Sequence, residues 1–222
     1  DFYSVTENLA IGAGIPMPML YVIEDSAPNA FATGRDPKNA VICVTTGLLQ
    51  KLKRNELEGV IAHEISHIKN FDTRLQTIVA IMAGFIALLG DWLLRGRLGF
   101  RKSSNDNKES GLGGLFMLLG ILFAILSPII AKLIQLAISR KREFLADSGS
   151  VAITKQPSGL ISALKKISND TEPLEVANKA TAHLYIVSPF KGKNHGRVDW
   201  FSKLFNTHPP IHERLKALSK MS

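Results

Sequence analysis

Asn55-Glu56-Leu57-Glu58-Gly59-Val60-Ile61-Ala62-His63-Glu64-Ile65-Ser66-His67-Ile68-Lys69 is the stretch whose period decides the fold. Leu57, Val60, Ile61, Ile65 and Ile68 recur at helical spacing. Asn55 has the side chain of an N-cap, and Glu56 and Glu58 follow it at the positive end of the helix dipole. Residues four apart on a helix share a face, so His63 and His67 can aim both imidazoles at one point, with Glu64 beside them. This is the pattern H-E-x-x-H. Two imidazoles hold a metal ion, and the carboxylate lies close enough to take a proton from an activated water. The plainer reading is a pair of solvated histidines on a charged helix face. The apolar turn Val60-Ile61-Ala62 argues against it, because it buries at least half of that face.

A metal site of this kind needs a third ligand. A histidine six residues beyond His67 would continue one known pattern, but Asn70 and Thr73 occupy the positions that matter. Arg142-Glu143-Phe144-Leu145-Ala146-Asp147 supplies a carboxylate from a separate helix. Glu143 and Asp147 share a face there. Glu143 is expected to complete the metal set, and Asp147 to orient a ligating imidazole. Asp72 is the rival carboxylate. Five residues past His67, it would stand near the far side of an unbroken helix, so it ranks below Glu143.

Upstream, Phe2, Val5, Leu9 and Ile11 suggest a short helix stopped by Gly12 and Gly14. Pro16 and Pro18 force extended chain. Met19–Ile23, Phe31–Thr33 and Ala40–Thr45 read as strands, the last two joined through the turn-rich Gly34-Arg35-Asp36-Pro37. Residues 47–53 read as a turn of helix.

Downstream, apolar residues crowd into two blocks, 75–94 and 111–131, separated by a polar loop. Each block could span roughly 30 Å of hydrocarbon at about 1.5 Å per residue. Together they predict a membrane-embedded helical hairpin over 75–139, with the sheet and the H-E-x-x-H helix in the part before it (1–74) and the Glu143 helix in the part after it (140–222). Two buried core helices are the alternative, but 222 residues cannot easily wrap such helices on every side. The formal charge of +8 clusters at the ends of these blocks (Arg95 to Lys102, Arg140 to Arg142). That placement suits a lipid bilayer surface and no nucleic acid. Basic residues at both the tip and the flanks leave full crossing open. The chain begins at Asp1 rather than Met, which reads as a piece of a longer protein.

Past the hairpin, residues 159–167 form an amphipathic helix, 177–187 a short element, 191–197 a loop, and 209–221 a final helix entered through proline. His208, in Asn206-Thr207-His208-Pro209-Pro210, sits in a rigid turn from which an imidazole could donate to an oxyanion. Cys43, the single cysteine, lies in an apolar run and reads as a buried small hydrophobe.

His63-Glu64-x-x-His67, Glu143-x-x-x-Asp147, Asn29-Ala30-Phe31-Ala32-Thr33-Gly34 and Thr207-His208-Pro209 together resemble the HtpX-type membrane metalloproteases, relatives of the CAAX prenyl proteases. The motifs run in that family's order through nearly the whole chain. The resemblance implies one zinc ion held by His63, His67 and Glu143 in a gluzincin site that faces the cytoplasm. It further implies a multi-pass protein of the cell (inner) membrane, two transmembrane helices ahead of residue 1, and hydrolysis of misfolded or damaged membrane proteins. It marks Asn29, Ala30, Phe31 and Ala32 as a strand that pairs with extended substrate. It also adds weight to His208 as a catalytic residue beside Glu64.

The fold expected is α+β and mainly α, with a small three-stranded sheet beside the H-E-x-x-H helix and the long hairpin. A membrane adaptor with structural zinc is the competing function. Such a site is normally closed by four protein ligands, whereas this sequence offers three and a base. A basic protein that binds anionic lipid or nucleic acid is a further alternative, and it leaves the ligand set unexplained. The sequence sets no oligomeric state.

Overall fold

The first helix shows how glycine and proline divide this chain. In the computed structural model, which describes residues 1–78, 81–82, 84–85, 122, 140–174, 185–186 and 209–221, α1 spans Phe2–Ala13. Val5, Leu9 and Ala13 make its buried stripe, and Ile11, off that stripe, is 74% exposed. Gly14 ends the helix at φ 71°, donating its N–H to the carbonyls of Ala10 and Ile11.

The strands fall where the apolar runs place them: β1 Met19–Ile23, β2 Ala30–Gly34 and β3 Ala40–Thr45. Their order is β1-β3-β2. β3 is central, and its near-continuous apolar sequence matches burial on both faces. It runs antiparallel to β2, with Phe31 opposite Cys43, and parallel to β1, with Met19 opposite Val41. The β2–β3 turn requires glycine. Gly34 adopts φ 135°, and a Cβ there would lie 2.3 Å from the Asn39 carbonyl oxygen. Asp36 closes the turn by accepting the amides of Lys38 and Asn39 at 3.0 and 2.9 Å. The Thr45 hydroxyl then caps α2 (Thr46–Lys51), accepting the Leu48 amide at 3.1 Å.

α3 spans Arg54–Lys69. It starts ahead of Asn55, so Asn55 lies inside the first turn and is not the cap. Glu56 does the capping from within: its Oε2 accepts the Lys53 amide at 2.7 Å. The same carboxylate takes Ser162 Oγ at 2.6 Å and Lys166 Nζ at 2.7 Å. Val60, Ile61, Ala62, Ile65 and Ile68 are all fully buried, each large apolar side chain contributing about 1.5–3 kcal/mol by burial. α3 is therefore the central rod, packed on α1, β2, α4 (Arg140–Thr154) and α5 (Pro157–Asn169). Where α3 crosses α5 the backbones nearly touch. A Cβ on Gly59 would lie 2.5 Å from Leu160 N, and one on Gly159 2.3 Å from Asn55 O. The last helix, α6 (Ile211–Leu218), packs on α4 and α5.

The protein is thus mainly helical with a small three-stranded sheet. The hairpin expected over 75–139 lies almost wholly outside the described residues, as do His208 and most of 177–197. Helical turns follow α3 over 72–78. Among the described residues no helix is long and apolar enough to cross a membrane.

Candidate metal centre

Because α3 is buried along its middle, its polar residues there go inside with it. His63, Glu64 and His67 are 1%, 3% and 4% exposed. The two imidazoles stand edge to face, with their Nε2 atoms 3.2 Å apart. Glu143, in the first turn of α4, reaches toward both. Its Oε2 lies 3.7 Å from His63 Nε2 and its Oε1 3.5 Å from His67 Nε2. The three side chains can each offer one ligand atom with all of these within 4.8 Å of one another. A tetrahedral ion with bonds of about 2.0–2.1 Å holds its ligands roughly 3.3–3.4 Å apart. The observed separations bracket that edge length.

Both imidazoles are fixed from behind. His63 Nδ1 lies 3.0 Å from Asp147 Oδ1, and His67 Nδ1 lies 3.1 Å from Asp72 Oδ2. A carboxylate at Nδ1 favours the proton there, which leaves each Nε2 lone pair directed at the same point. Where both Nδ1 atoms carry the proton, the two Nε2 lone pairs face each other at 3.2 Å and a cation between them would relieve the conflict; a proton on one Nε2 instead makes the same contact a hydrogen bond. The donor set therefore fits a metal on its own geometry.

A guanidinium stands behind each of these carboxylates. Arg214 of α6 is fully buried and grips Asp147 through Nε at 2.9 Å and Nη2 at 2.6 Å. Its Nη1 lies 3.4 Å from Glu143 Oε2 and 3.5 Å from the Ile186 carbonyl oxygen. Arg142 Nη1 lies 2.5 Å from Asp72 Oδ1. Sequence reasoning singled out neither arginine, and it weighed Asp72 only as a ligand. Arg214 had a signal. It falls in register with Ile211, Leu215 and Leu218, on the stripe a helix turns inward, where an arginine is rare unless paired.

The electrostatics follow from burial and neighbours. Burial pushes Glu64 above the usual carboxylate range. Glu143 adds to this, while His63, His67 and the Ala32 amide pull the other way. Burial opposes charge on His67, but the Asp72 bond and the Glu143 and Glu64 carboxylates win and hold it at about 8. Burial would raise Asp147 as well, yet the His63 bond and Arg214 keep it below its ordinary value. Cys43 is pushed up to about 11 by burial and by Glu64, which leaves it an inert thiol.

β2 lies alongside α3, and its Ala32 amide is near enough to the Glu64 carboxylate to lower its proton affinity. Asn29, Ala30 and Ala32 are buried and Phe31 is half-buried. Ala30's carbonyl accepts the Ile186 N–H at 3.0 Å, and Phe31 meets the Tyr185 ring edge-on at 5.0 Å.

A zincin-like helix, a closing glutamate and a small sheet edge define a peptidase scaffold, and comparison with known proteins agrees. The chain belongs to peptidase family M48, whose profile matches residues 1–222. It is 49% identical over 221 residues to a protease HtpX homolog of Thermoanaerobacter pseudethanolicus, covering 99% of this chain and 71% of that protein. It is 50% identical over 218 residues to one of Dictyoglomus turgidum, covering 98% and 68%. Its fold resembles the crystal structure of S. mikatae Ste24p at a TM-score of 0.52 and 22% identity, across 98% of this chain. The chain spans 49% of the Ste24p chain.

Proposed function

We propose that this chain is the catalytic part of a zinc-dependent membrane endopeptidase. The supporting observation is the convergence of His63, His67 and Glu143 on one point with buried Glu64 at its side. His63, His67 and Glu143 would hold one zinc ion, which when bound lowers the pKa of a water toward about 7 and polarises the scissile carbonyl. Glu64, whose proton affinity is already raised by burial, takes the proton from the attacking water and returns it to the leaving amine. Asp147 and Asp72 keep the imidazoles aimed. His208, outside the described residues, is the proposed donor to the oxyanion.

The substrate is a polypeptide in extended form. It adds beside β2 along Asn29–Ala32, next to Glu64. The Ala30 carbonyl on this edge already accepts the Ile186 N–H at 3.0 Å, so an incoming strand has to displace that contact or pair further along β2. We place the enzyme in the cell (inner) membrane, multi-pass, with its site on the cytoplasmic side, and its substrates among misfolded or damaged membrane proteins. The relatives' likeness to HtpX supports that location. So do the apolar side chains that follow α3: Phe71, Ile78, Ile81 and Phe85 are 43–66% exposed, as lipid-facing residues would be.

The test is zinc content and cleavage of an unfolded protein substrate, measured in detergent on the chain and on Glu64→Gln. One zinc per chain in both, with kcat at least ~100-fold lower in the variant, is expected for a general base. Equal cleavage by both would refute Glu64's role, and absence of zinc from both would refute the ligand assignment.

A further inference from the structure

A helix running unbroken past Lys69 would carry Asp72 about 140° around its axis from His67, away from any ligand. The helix does not run on. Asn70 donates its amide to the Ser66 carbonyl at 3.0 Å, and Phe71 then turns into the left-handed region at φ 59°. A side-chain-bearing residue is strained there, and such strain persists where the surrounding structure requires it. The Phe71 side chain does not supply that requirement, since the residue is half exposed. What the turn does accomplish is to swing Asp72 back under His67. The Asp72 carboxylate is 3% exposed, with Oδ2 at 3.1 Å from His67 Nδ1 and Oδ1 at 2.5 Å from Arg142 Nη1.

We propose that Asp72 is a positioning residue of the metal site, which holds His67 with its Nδ1–H inward and its Nε2 lone pair outward, and that Arg142 locks Asp72 to the helix carrying Glu143. The inference rests on the metal reading given above and deepens it. Arg142 immediately precedes Glu143 in sequence. One link therefore sets the rotamer of a ligand on α3 and the register of α4 at the other ligand. The arrangement repeats the one at His63, where Asp147 and then Arg214 stand behind the imidazole. Each ligating histidine is thus backed by a carboxylate and then a guanidinium, and each chain of contacts ties α3 to another helix. Asp72 and Arg142 form the more accessible of the two, since the Arg142 side chain is 35% exposed.

The experiment measures zinc affinity by chelator competition on the detergent-purified chain, with the thermal midpoint of the metal-free form as a control for folding. Asp72→Ala is expected to weaken zinc binding about 10–100-fold, the usual effect of removing such a partner. Asp72→Asn keeps an acceptor for Nδ1–H and the same shape, so it should recover most of that loss. It also serves as the informative variant should Asp72→Ala fold poorly. Arg142→Met should weaken binding several-fold in the native background and have no further effect in Asp72→Ala, because it acts only through Asp72. A merely structural role predicts additive losses and the same zinc affinity for Asp72→Asn as for Asp72→Ala. That result, or Asp72→Ala binding zinc as tightly as the unaltered chain, overturns the proposal while leaving the metal site standing. An unaltered chain that binds no zinc overturns both.

Discussion

Arg214→Met removes a cation that nothing else replaces. Arg214 is fully buried, and its two contacts to Asp147 at 2.6 and 2.9 Å act with the His63 hydrogen bond to keep a carboxylate of 0% exposure charged. Methionine fills much the same volume, so the cavity left is small and the loss is electrostatic. Removing one partner of a buried ion pair leaves an uncompensated charge and costs about 3–5 kcal/mol. For a chain of this size that corresponds to a fall of roughly 6–20 °C in Tm. The assay is thermal and denaturant unfolding of the metal-free chain by circular dichroism. Metal must be absent, because an ion on His63, His67 and Glu143 would stabilise the native state by mass action and mask the defect. The companion variant carries Arg214→Met with Asp147→Asn. It no longer orphans a charge at Asp147, so that only the longer 3.4 Å contact to Glu143 stays lost, and the amide oxygen can still accept from His63 Nδ1. At least half of the lost stability should return. A single variant costing less than about 1 kcal/mol, or a double variant no more stable than the single one, would refute the argument that Arg214 is there to neutralise Asp147.

Other predictions follow from neighbouring contacts. Glu56→Gln should cost about 1–3 kcal/mol, since a carboxylate 3% exposed holds Lys53 N, Ser162 and Lys166. Burial would raise the Glu56 pKa, but the Lys166, Ser162 and Lys53 hydrogen bonds outweigh it and hold the carboxyl below the usual glutamate range. The stability it supplies is therefore present above the unfolded pKa and lost as pH falls through the folded one, so the gap between Glu56→Gln and the unaltered chain should close in acid. Gly59→Ala places a methyl group 2.5 Å from Leu160 N, backbone that cannot swing aside, and should lower stability by about 1–3 kcal/mol in urea unfolding. Cys43 is 8% exposed with its pKa pushed up to about 11, so alkylation at pH 8 should label it only after denaturation.

Local pattern carried the strands and helices well, for physical reasons. β3's apolar run matches burial on both faces, α1 stops at a glycine that adopts φ > 0, and Leu57, Val60, Ile61, Ile65 and Ile68 are all buried in α3, which is buried all round from Gly59 to Ile68. Strand order was not legible, because nothing local in Met19–Ile23 says that it pairs with β3 in parallel rather than with β2. The start of α3 was misread for a related reason: Asn55 has the right cap chemistry, but Glu56 reaches back to Lys53 N and takes the task one turn earlier.

The metal centre divides along the same line. His63, Glu64 and His67 are close because they share a helix, so the period reveals them. Glu143 is brought in by α4, and Asp147 follows it by helical spacing to meet His63. Asp72 was ranked low by that same spacing, because the argument assumed a continuous helix and a single residue at φ 59° breaks it. Arg214 required the opposite correction: the apolar stripe of α6 placed it inside, and only the knowledge that an acidic cluster waits there makes its burial sensible. Helical periodicity thus finds the residues proposed to hold the metal. The residues that hold those in place come from chain reversals and helix packing, and there the sign of one φ or the partner of one buried charge decides the outcome.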